Sequence, residues 1–169
     1  MIGAMAAPDH PSVERVVRAA ADHGLAIEVR RFSEGTRTAA DAARAIGCEI
    51  GQIVKSLVFM ADGEPVVALV RGADRVDTDR LASEMGTRSA RRAMVDQARD
   101  ATGVSIGGIP PFGHARALPV LVDEGLLQYG TVWAAAGLSD AVFPIAPGEL
   151  VRIAGGRVVA IATADPSAP

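Results

Sequence analysis

Excess positive charge, aromatic rings, cysteines and long apolar runs are all scarce in this chain, and each scarcity excludes a class of function. The formal net charge is −3 and the pI about 5.6. Tight binding along an extended nucleic acid is dominated by phosphate neutralisation, so any contact with RNA must be local, and DNA is not expected as a partner. Aromatics make up 4% of residues, too few for the stacking platforms of sequence-reading RNA modules or single-strand binders. A single cysteine, Cys48, allows neither an internal disulfide nor a CxxC zinc pair, which fits a reducing cytoplasm. No apolar run approaches the roughly 20 residues of a membrane span, and the first residues lack the basic and apolar regions of a signal peptide. HExxH, GxSxG, GxxxxGK[ST] and GxGxxG are absent as well, so metalloprotease, α/β-hydrolase, P-loop and dinucleotide-binding readings have no anchor.

What remains is a chain of 169 residues, 49% hydrophobic, enough for one core and one domain over residues 1–169. Residues 1–11 read as a loose leader and 163–169 as a frayed tail. Ser12 is placed to cap a helix with Val13, Val16, Val17 and Ala20 on one face, ending near Gly24. LAIEVRRF alternates as a strand. Thr38 and Asp41 have capping-box spacing before an alanine-rich helix that Gly47 can end. VKSLVFM and PVVALVR predict an antiparallel hairpin around Asp62-Gly63. Asp77 caps a further helix, and Val95 or Asp96 opens another that ends at Gly103. Strand-like runs LPVLVD, TVWAAA and VFPI follow, then a helix from Pro147 and a last strand, RVVAIA. Helices and strands mix without strict βαβ alternation, so the expected class is α+β with a mixed, largely antiparallel sheet and flanking helices.

Two features point to chemistry. The chain holds sixteen arginines and one lysine, Lys55. It opens an apolar strand, where a compact ammonium on a flexible stem can reach a carbonyl or phosphate in a way that a planar guanidinium cannot copy. The alternative is a solvated edge residue. The second feature is GGIPPFGH, residues 107–114, whose glycines and prolines forbid regular structure and let main-chain N–H groups approach a ligand closely. Its alternative is an ordinary surface turn. His114 abuts this loop as a candidate substrate contact. Cys48 reads as a packed thiol, His10 and His23 as solvated or capping residues, and Trp133 and Tyr129 as core or pocket wall.

Three segments, TAADAARAIGCEIGQIVKSLVF, TGVSIGGIPPFGH and TVWAAAG with FPIAPGEL, together resemble the YbaK family of aminoacyl-tRNA deacylases. That family is also represented by the editing insertion of bacterial prolyl-tRNA synthetases. The resemblance implies a YbaK-like fold in which Lys55 faces a GxxxP loop, Gly107 to Pro111, across the substrate pocket. It implies that Lys55 engages the ester or terminal phosphate, and that the Gly107 N–H holds the carbonyl. Phe32, Ser56, Gly108, Ile109, Pro111, Ala135 and Gly137 are the implied substrate-binding residues. No metal and no cofactor are expected.

The function implied is trans-editing, the hydrolysis of a small amino acid of the Ala, Cys, Ser or Thr type from a mischarged tRNA. The partners implied are the acceptor end of aminoacyl-tRNA and an aminoacyl-tRNA synthetase, with no membrane. Ala135 departs from the polar residue that similar proteins often carry there, which leaves the amino acid open. A non-catalytic binding module of the same fold, or an unrelated small-molecule hydrolase or transferase, are the alternatives.

Overall fold

The computed structural model describes the backbone of residues 2–3, and residues 10–33 and 38–168. The leader expected over residues 1–11 lies mostly outside that range, as does Pro169 of the expected tail. Strand β1 (Ile2–Gly3) is followed by α1 (Pro11–Asp22), β2 (Arg30–Phe32) and α2 (Ala39–Ile46). A long hairpin, β3 (Val54–Ala61) and β4 (Glu64–Arg71), continues into β5 (Asp74–Val76), α3 (Thr78–Met85), β6 (Ala90–Arg92) and α4 (Val95–Thr102). Beyond an irregular stretch lie β7 (Val120–Asp123), β8 (Val132–Ala135), β9 (Ala141–Ile145), α5 (Pro147–Ala154), β10 (Arg157–Val159) and β11 (Ala162–Ala164).

Among the described residues the strands form three sheets, ordered β1-β2-β9-β8, β10-β7-β4-β3-β6 and β11-β5. Only the β10–β7 and β7–β4 pairs are parallel, so the class is α+β with a mixed, largely antiparallel sheet, as the sequence predicts. Strand β4 is central, and Val66 to Val70 are buried to the last atom. Covered on both faces, it reads as a continuous apolar run rather than an alternating one. The β3–β4 turn has Asp62 at φ 47° and Gly63 at φ 84°, the left-handed pair that matches strand twist in a two-residue hairpin. The Thr38–Asp41 capping box and the left-handed Gly47 stop both form.

Four local expectations are corrected. The cap of α1 is His10 rather than Ser12: the ring accepts from the Ser12 N–H at 3.2 Å, because Pro11, which has no N–H to satisfy, takes the first helical turn. LAIEVRRF forms a ladder only over Arg30–Phe32, since β9 pairs with it at Arg30 and Arg31 alone. RVVAIA is not one strand. The Asp123 carboxylate accepts from the N–H groups of Ile161 and Ala162 at 2.9 and 3.0 Å, turning the chain after β10. The expected tail then begins in a ladder, with Thr163 and Ala164 opposite Arg75 and Asp74.

Candidate active site

Strand β3 is paired along its whole length with β4 on one side, and only in part on the other. There, β6 pairs with Phe59 to Ala61 and an isolated parallel bridge joins Ile53 to Trp133. Between those contacts, residues 54–57 have no strand partner on this second edge among the described residues. The Ile53 carbonyl accepts from Gly72 on the β4 side, while the Val58 carbonyl accepts from Ala93 on the other. Main-chain groups of successive residues point to opposite edges of a strand, so those of Ser56, two residues before Val58, are directed at the open edge.

A cavity of about 280 Å³ occupies this gap. Its floor is Val54 to Val58, and its walls come from Ala93 and Ala98, from Trp133 and Ala135, and from the loop residues Gly107 and Ile109. Arg92 and Ile106 stand exposed where it opens. The alanine walls reflect where α4 and β8 pack: a small side chain at these positions leaves room that a Leu or Phe would fill.

Of the residues the sequence singles out, Lys55, Ser56, Gly107, Ile109 and Ala135 all line the cavity. Phe32, Gly108, Pro111 and Gly137 do not. Phe32 is 6% exposed and packs behind the wall with Ala42, Ile53 and Val142. Gly108 is a close-approach glycine, because a Cβ there would lie 2.8 Å from the main chain of Leu138. Gly137 has φ +95°, and a Cβ on it would meet the Ser12 carbonyl oxygen at 2.7 Å. These two glycines seat the 107–111 loop and the 136–139 segment against one another and against α1. Pro111 is buried in the loop.

Lys55 is half-buried and its Nζ donates to the main-chain oxygen of Asp74. It is therefore less free than a side chain directed into an open cleft, though an ammonium has three donors and this contact uses one. Burial pushes its pKa below the ordinary 10.5, opposed by Asp165 and Asp74 and assisted by the cation of Arg92. The Ser56 Oγ is buried with no hydrogen-bond partner among the described residues, which is unusual for a buried hydroxyl.

The remaining candidates have structural places. His114 donates from Nε2 to the Pro110 carbonyl at 2.7 Å, and burial lowers its pKa. It braces the loop and does not line the cavity. Cys48 packs beside the Phe32 cluster, with its thiol pKa raised chiefly by burial. Tyr129 fills the space over Gly51, where an added Cβ would fall 1.9 Å from its hydroxyl. Among the described residues, no group of three or more His, Cys, Asp or Glu is gathered to hold a metal, and no helix is long and apolar enough to cross a membrane. Nothing in the sequence singles out Arg92, one arginine among sixteen, because only the register of β6 against Phe59 brings it to the cavity.

Relatives share this frame. A solved structure described as a candidate trans-editing enzyme for prolyl-tRNA synthetase superposes with a TM-score of 0.86 at 39% identity, over 92% of this chain and 99% of that one. EbsC of Enterococcus faecalis, named as a candidate Cys-tRNA(Pro)/Cys-tRNA(Cys) deacylase, is 27% identical over 135 residues, covering 79% of this chain and 82% of EbsC. Proline–tRNA ligase of Limosilactobacillus fermentum is 32% identical over 116 residues, 66% of this chain but 20% of that longer protein. The family model of the aminoacyl-tRNA editing domain matches residues 33–153. That span runs from the segment before α2 to the end of α5 and takes in every wall of the cavity, and the chain belongs to the aminoacyl-tRNA editing domain family.

Proposed function

We propose that this protein is a cytoplasmic trans-editing deacylase that hydrolyses the ester between a small amino acid, of the Ala, Cys, Ser or Thr type, and the acceptor end of a mischarged tRNA. The observation that carries this reading is the convergence of Lys55 and Gly107, 52 residues apart in sequence, on one cavity with small apolar walls. An aminoacyl ester is already activated, so positioning and stabilisation of the oxyanion suffice without a side-chain nucleophile. The Gly107 N–H holds the carbonyl oxygen, and a spare donor of Lys55 faces the ester. Water adds to the carbonyl carbon. The bond to the ribose oxygen then breaks, releasing the amino acid and leaving a hydroxyl on the tRNA. The small walls set by Ala93, Ala98 and Ala135 favour a short side chain, and the name of EbsC makes cysteine the first to try. A synthetase that mischarges the tRNA is the natural supplier of substrate.

The test is a panel of tRNAs charged with Ala, Cys, Ser, Thr and Pro, incubated with the pure protein with and without EDTA. Hydrolysis of one or more small esters well above the uncatalysed rate, unchanged by chelator, is expected. Binding of charged tRNA with no hydrolysis of any member would replace the deacylase by a binding module.

A further inference from the structure

The cavity holds a second cation that the ester chemistry leaves unused. Arg92 lies where β6 ends, in register with Phe59, and its guanidinium carbon is 5.8 Å from the centroid of that ring. That distance is within the range of a cation–π contact, which offsets part of the cation's desolvation without using its N–H donors. Several arginines are neutralised by a carboxylate, among them Arg31 by Asp140, Arg71 by Asp74 and Arg157 by Glu84. Arg92 has no carboxylate within ion-pair reach among the described residues, and no Asp or Glu lines the cavity. The pKa of Lys55 is lowered chiefly by burial, with Asp165 and Asp74 opposing the shift and the Arg92 cation adding the smallest part of it.

We infer that Arg92 is the anion site of this cavity and takes the 5′-phosphate of the terminal nucleotide whose ribose carries the ester. The inference rests on the deacylase reading for the identity of the ligand. In such a substrate the ester and the phosphate lie on opposite sides of one ribose. Lys55 on the floor and Arg92 at the opening are placed to take one each. A guanidinium suits a phosphate because its fork donates two parallel N–H bonds. This single contact also fits an acidic protein that reads only the end of its RNA.

Trp133, the one tryptophan, lines the same cavity and reports occupancy without any hydrolysis. Titrating the protein with AMP and with adenosine while following its fluorescence, AMP is expected to bind about tenfold to a hundredfold more tightly, the weight of a charge-assisted hydrogen bond. Arg92→Ala should bring the two ligands to equal affinity, and Arg92→Lys should restore part of the difference. In single-turnover deacylation, Arg92→Ala should raise the half-saturating concentration for charged tRNA at least tenfold more than for an aminoacyl-adenosine lacking the phosphate. Equal binding of AMP and adenosine by the parent, or a preference for AMP that survives Arg92→Ala, would overturn the assignment. If AMP is preferred through Arg92 while no ester is cleaved, the anion site stands and the deacylase reading fails.

Discussion

Asp123 on β7 and Ser56 on β3 sit in the same sheet with only β4 between them, and the fold treats their polar groups in opposite ways. The Asp123 carboxylate is 4% exposed and accepts from three main-chain N–H groups, those of Gly125, Ile161 and Ala162. Nearby, Asp74 is equally buried and takes two bonds from Arg71 at 2.6 and 3.0 Å. Both carboxylates are partnered within the chain, Asp123 by main-chain N–H groups and Asp74 by the Arg71 guanidinium. On the other side of β4 the Ser56 hydroxyl has none, Arg92 faces no carboxylate, and Lys55 uses one donor of three. Buried polar groups that are fully satisfied help specify a fold, whereas an unsatisfied one carries a desolvation cost that a water or a ligand can relieve.

This contrast breaks most visibly at Lys55. Lys55→Ala and Lys55→Arg should each lower single-turnover deacylation by about 30- to 1000-fold, equivalent to about 2–4 kcal/mol of transition-state stabilisation. The contact with Asp74 adds a stability cost of about 1 kcal/mol for the alanine variant, readable in a thermal melt. Because burial lowers the Lys55 pKa, the enzymatic rate should also fall at a lower pH than an ordinary amine would allow, once base hydrolysis of the ester is subtracted. Near-parental rates in Lys55→Ala would remove the lysine from the mechanism.

Asp123→Ala is the opposite case, a loss of fold with the site intact. It strands three buried or half-buried donors and frees the turn between β10 and β11, at a cost of about 3 kcal/mol in chemical denaturation. Activity per folded molecule should be retained. A melt equal to the parent would show that water replaces the carboxylate there.

Ala135→Ser probes the cavity wall more gently. A hydroxyl at this position should shift preference among the small esters toward one that can hydrogen-bond to it, by about 10-fold or less. An unchanged ranking across the panel would place the amino-acid side chain against another wall.

The smallest effect concerns His114. Its pKa lies below the ordinary 6.5 because the ring is buried, so the folded protein binds fewer protons than the unfolded chain between those two values. Stability should rise with pH through that window and be lost as pH falls below about 6.5 toward the lowered value. In His114→Gln this part of the slope should disappear from melts run between pH 7 and pH 5. An unaltered profile would assign the acid sensitivity to other groups.

Local signals in the sequence were sufficient for most elements. The capping box at Thr38, the Asp62-Gly63 turn and the Gly47 and Gly103 stops all act within a few residues, so their physics is visible in a short window. The three-residue strands β5 and β6 were not legible, because they exist only through pairing with β11 and β3. The break in RVVAIA was equally hidden, since it is imposed by a carboxylate 38 residues away.

The candidate site divides along the same line. Sequence determined that Lys55 and the Gly107 loop are chemically distinctive, through the lone lysine and through backbone freedom that only glycine supplies. Tertiary structure decided that they share a cavity, because β6 stops pairing at Phe59 and leaves an open edge on β3. It also decided that Gly108 and Gly137 serve packing, and that Arg92 lines the cavity. Residue type and spacing fix what a side chain can do, whereas strand register and the length of each ladder fix what it meets.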